Sequence, residues 1–88
     1  MVFEADRDAI RTKITNNDFS GAKVDLEALI VKVETRYATL NTNQKRQWED
    51  TRLQLPHIRE HLQEALDNRS RANQRQVCLD VINGITVI

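Results

Sequence analysis

One cysteine, one proline, two glycines, one tryptophan, one tyrosine and two phenylalanines are all that this 88-residue chain holds of those types. Each scarcity excludes something. The lone thiol, Cys78, cannot form an internal disulfide or a cysteine-cluster metal site, and it fits a reducing, cytoplasmic setting better than a secreted one. With only two glycines there is no Gly-rich phosphate loop, and no G-x-S-x-G nucleophile elbow occurs. A formal net charge of zero removes bulk attraction to nucleic acid or anionic lipid. No apolar run is long enough to cross a bilayer, and the N-terminus is charged from Glu4 with no signal-peptide h-region, so no membrane partner is expected.

What is plentiful is Gln, Asn, Arg and Glu among evenly spaced aliphatic residues, a composition that favours an all-α fold. A chain of this length is one domain, expected over 1–88, that buries only about 60–65% of its unfolded surface. Its stability is then modest or shared with a partner.

The organising stretch is 18–40. Phe19, Ala22, Leu26, Leu29, Ile30, Val33, Tyr37 and Leu40 recur every three or four residues, the spacing of a core-facing helical stripe. Val24, Ala28, Val31, Thr35 and Ala38 repeat with the same rhythm on the opposite side. A helix apolar on two faces is the centre of a bundle or half of an interface.

Before it, a short helix is expected over 4–15, with Phe3, Ile10 and Ile14 on one narrow stripe and Asp8 placed to pair with Arg11. Asn16, Asn17 and Asp18 supply the turn, with Asp18 or Ser20 as the cap and Phe19 and Val24 as a hydrophobic staple about Ser20. After it, Asn41, Thr42 and Asn43 form a connection so short that the next helix must fold back antiparallel. That helix is expected over 43–68, with Lys45–Glu49 and Arg46–Asp50 pairs, a stripe of Trp48, Leu55, Ile58, Leu62, Ala65 and Leu66, and a kink or short break near Pro56. A last helix over 71–83 carries Val77, Cys78, Val81 and Ile82 and stops at Gly84, which is free to adopt the left-handed C′ conformation. The apolar end, Ile85 to Ile88, is expected to pack on the bundle or on another chain.

Three constellations could carry chemistry. His57-Ile58-Arg59-Glu60-His61 fits H-x-x-E-H, and His57, His61 and Glu64 could grip a zinc ion, but they lie beside the apolar stripe where surface polar residues belong. Cys78, flanked by Val77 and Leu79, reads as a buried small hydrophobe. Arg69, Arg71 and Arg75 form a small basic segment that could contact phosphates, or a solvated face with Asp67 pairing to Arg71.

The sequence therefore points to a small antiparallel bundle of three to four helices built on a long helical hairpin. Its expected role is a non-enzymatic interaction module, an adaptor, inhibitor or regulatory subunit, with no cofactor and with itself (a homodimer) or another protein as partner. The expected interface is Val24, Ala28, Val31, Ala38, Val81 and Ile85. The alternative is a small nucleic-acid-binding regulator using Arg69, Arg71 and Arg75.

Overall fold

A computed structural model describes residues 2–88. Four helices follow one another: α1 Glu4–Thr15, α2 Phe19–Tyr37, α3 Thr42–Leu66 and α4 Arg71–Asn83. Among the described residues there is no strand, and the fold is an all-α bundle.

Local chemistry sets where each helix begins. The Asp18 carboxylate accepts the Gly21 backbone N–H at 3.0 Å, so Asp18, not Ser20, caps α2. A Cβ at Gly21 would run into that carboxylate, which accounts for one of the two glycines. With the cap two residues earlier, the staple expected about Ser20 does not form, and Val24 stands 64% exposed. At α3, Asn41 accepts the Gln44 N–H at 2.9 Å while its own N–H donates to the Gln44 side chain at 3.2 Å. This reciprocal capping box starts the helix at Thr42, ahead of the expected 43. The left-handed positions are Asn17 (φ 60°), Asn68 (φ 61°) and Ser70 (φ 48°). Gly84 is not among them; at φ −80° it is right-handed. The N–H groups of Gly84 and Ile85 donate to Val81 and Ile82, which carries the chain onward toward α1 instead of reversing it.

Pro56 lies inside an unbroken α3. It denies Arg52 an amide partner, an interior cost of about 3 kcal/mol relative to alanine. The helix survives because its neighbours Leu55 and Ile58 are both buried and need helical phase to stay so.

Each helix packs on its neighbours in sequence, and α4 closes the ring on α1, whereas among the described residues the backbones of α1 and α3, or of α2 and α4, do not approach one another. The four axes therefore stand at the corners of a square. Lys13–Asp25 (2.5 Å) and Lys32–Asp6 (3.1 Å) tie α1 antiparallel to α2. Across the hairpin, Lys23 donates to Gln63 at 2.8 Å and Arg52 pairs with Glu34 at 2.7 Å. Such pairs, exposed or only part-buried, contribute little energy but report register. The core between the corners is Ile10 and Ile14 from α1, Leu26, Leu29 and Val33 from α2, Leu55, Ile58 and Leu62 from α3, and Cys78 and Ile82 from α4.

Candidate protein interaction surface

The expected interface residues divide into two groups. On α2, Val24 and Val31 are 64% and 65% exposed, and Ala28, Thr35 and Ala38 are exposed with them. They lie opposite Ala22, Leu26, Leu29 and Val33, which are buried. The outer face of α2 is thus apolar and uncovered by the described residues.

The C-terminal residues behave differently. Ile85 is 1% exposed and Ile88 fully buried. The Arg7 guanidinium donates to the Ile85 carbonyl at 2.8 Å, and the Phe3 N–H donates to the Ile88 oxygen at 2.6 Å. This segment is laid along the start of α1 and completes the core there, so Ile85 is corrected from interface to core. Val81 is half-buried against the same core. Because the segment goes to α1, it does not cover the second face of α2.

A groove was not legible in the sequence. Phe3, just ahead of α1, meets Trp48 edge-on with ring centroids 6.2 Å apart, and its other side joins Val31, Lys32, Thr35, Arg36 and Thr39 around a shallow depression of about 390 Å³. Phe3 counted in the sequence only as a member of the Ile10 and Ile14 stripe. Its exposed part in fact extends the α2 surface toward the hairpin tip.

That tip is held by Tyr37. Its hydroxyl donates to Glu49 at 2.6 Å, and the Arg52 guanidinium and the Lys45 ammonium lie 4.3 and 5.4 Å from its ring centre. Glu49, expected to pair with Lys45, instead accepts from Tyr37 and pairs with Arg52 at 3.4 Å. The hydrogen bond to Glu49 raises the Tyr37 pKa above its ordinary value, and the bond to Glu34 raises that of Arg52.

The arginine segment is largely occupied with its own fold. Arg71 Nε donates to the Ala65 carbonyl at 3.0 Å and its guanidinium lies 5.8 Å from the Phe19 ring centre. Arg75 donates to the Thr15 carbonyl at 3.4 Å. Both cations therefore sit on carbonyls in the last turns of α3 and α1, where the helix dipole favours positive charge. Asp67, expected to pair with Arg71, accepts from Gln63 at 3.1 Å instead. Arg69 is exposed.

The two histidines also part company. His57 leans toward Glu60 at 3.8 Å in solvent, while His61 Nδ1 is 2.6 Å from Gln74 of α4 and 3.9 Å from Glu64. Among the described residues no group of three or more His, Cys, Asp or Glu side chains is arranged to hold an ion. Cys78 is fully buried, with its thiol 3.8 Å from the Ile58 carbonyl, and burial pushes its pKa up to about 11. At neutral pH it is a protonated core residue without nucleophilic character. No described helix is long and apolar enough to cross a membrane.

Compared with protein-family models, curated proteins and solved structures, the chain matches none.

Proposed function

We propose that this chain is a non-enzymatic protein-binding module, an adaptor, inhibitor or small regulatory subunit, that presents the outer face of α2 to another protein. One observation carries the reading. Val24 and Val31 stand about two-thirds exposed in the middle of an apolar stripe, opposite a core that the chain's own four helices already close. Scattered exposed aliphatic residues are ordinary on a protein surface, but a line of them along one helix face marks a contact site. A cytoplasmic setting belongs to the same proposal, supported by the single thiol held protonated in the core.

The test is capture from nuclease-treated lysate of the host, with the tagged chain compared against a Val24→Asp, Val31→Asp variant. A stoichiometric protein retained by the natural chain and lost by the variant is the expected result. Equal retention by both would sink the reading. Because both valines are exposed, the variant keeps its helical circular dichroism, so loss of capture is not loss of fold.

A further inference from the structure

We propose that the occupant of the outer α2 face is a second copy of this chain, joined α2 to α2 in parallel register about a two-fold axis running along the helices. The proposal rests on the protein-binding reading above and names the partner.

The spacing supplies the first argument. Gly21, Val24, Ala28, Val31, Thr35 and Ala38 are separated alternately by three and four residues, the interval that keeps a seam facing one partner helix. In heptad terms Gly21, Ala28 and Thr35 are a positions and Val24, Val31 and Ala38 are d positions. The small a residues let two backbones approach at the near end of the usual interaxial range of about 8–10 Å.

Charge supplies the second, and it also sets the orientation. The flanking e positions within α2 are Asp25 and Lys32, and the g positions are Ser20, Glu27 and Glu34. In a parallel pair each g residue faces the e residue five positions on in the other helix. Glu27 then meets the partner's Lys32, twice by symmetry, while Ser20 meets Asp25 and the position facing Glu34 falls past the end of α2, so no like charges face one another. Antiparallel pairing sets g against g and e against e, so the attraction of Asp25 for Lys32 is offset by the repulsion of Glu27 and Glu34, whereas the parallel pair gains its attraction with no repulsion. Within one chain Glu27 lies 3.8 Å from Lys23 and Lys32 lies 3.1 Å from Asp6, exposed pairs that exchange partners at little cost.

The square arrangement supplies the third. α2 is the corner diagonal to α4, and among the described residues the helices packed beside it are α1 and α3, so the outward edge is open to another helix.

Sedimentation equilibrium of the full chain tests this directly. Expected is a concentration-dependent rise from 10.2 kDa toward twice that mass below about 1 mM chain. Val31→Lys holds the chain at the monomer mass with unchanged helical circular dichroism. Glu27→Lys raises the dimer dissociation constant about tenfold, and adding Lys32→Glu restores it. Monomer mass at every concentration, a dimer indifferent to Val31→Lys, or a dimer tightened by Glu27→Lys as antiparallel packing requires, would each overturn the proposal. If the chain is monomeric yet the capture experiment still loses a different protein with the Val24→Asp, Val31→Asp variant, the second copy is wrong and the protein-binding reading stands.

Discussion

Arg7 and Ile85, separated by 78 positions in sequence, are joined by a 2.8 Å hydrogen bond from the guanidinium to the backbone carbonyl. The bond holds a fully packed isoleucine against the start of α1. Ile85→Ala is therefore expected to lower the free energy of unfolding by about 2–4 kcal/mol, the range for truncating a buried aliphatic side chain. Val31→Ala, at a 65% exposed position, is expected to stay within about 0.5 kcal/mol of the parent. Urea denaturation of the two variants separates core from surface in a single comparison.

Cys78 gives a pH signature. Its thiol is held near a pKa of about 11 in the fold, against an ordinary value of 9.0. Below pH 9 the thiol is protonated in both states and the shift leaves stability unchanged. Between about 9 and 11 the unfolded chain ionises first, so stability falls as pH rises through that window and levels off above it. Thiol-reactive dye should modify the native protein slowly at pH 8 and the urea-unfolded protein at once.

The single tyrosine makes the hairpin tip directly observable. Because Tyr37 donates to Glu49, tyrosinate absorbance is expected to appear at higher pH than for a free tyrosine. Glu49→Ala removes both the acceptor and its negative charge, and the titration should move back down. An unchanged curve in the variant would mean that the bond does not persist in solution.

Pro56 is the one interior helical residue that costs the fold a hydrogen bond. Pro56→Ala supplies the missing amide to Arg52 and relieves the ring's pressure on the preceding turn. The expected gain is about 1–3 kcal/mol, part of it offset by the greater freedom of the unfolded chain. Thermal unfolding of the variant should shift upward; a lower midpoint would show that the ring's own packing outweighs the amide.

Helical periodicity made the architecture readable. Leu26, Leu29 and Val33, or Leu55, Ile58 and Leu62, keep phase over several turns, and Asp18 stands out as a cap, whereas Asn41 reads only as part of a connection until its capping box with Gln44 is seen. The two faces of α2 were legible for the same reason. Long-range partners were not. Ile85 reads as apolar surface to be covered by the bundle or by another chain, and nothing near it in sequence announces Arg7, just as Phe3 gives no sign of reaching Trp48. Arg71 and Arg75 looked like an anion-binding run because the carbonyls of Ala65 and Thr15 that engage them lie on other helices. Glu49 had an eligible lysine one turn before it, but Tyr37 and Arg52 hold it instead.

The closure of α4 onto α1 also bears on the order in which the molecule assembles. Every other helix pair is joined by a turn of three or four residues, whereas this seam unites the two ends of the chain. Loop-closure entropy makes the short hairpins cheap to form and the seam the most expensive, so the α1 to α4 junction is expected to zip last. By the same route it is the first to part: backbone amides of Phe3 and Ile85 should exchange with solvent deuterium ahead of those in the middle of α2 and α3.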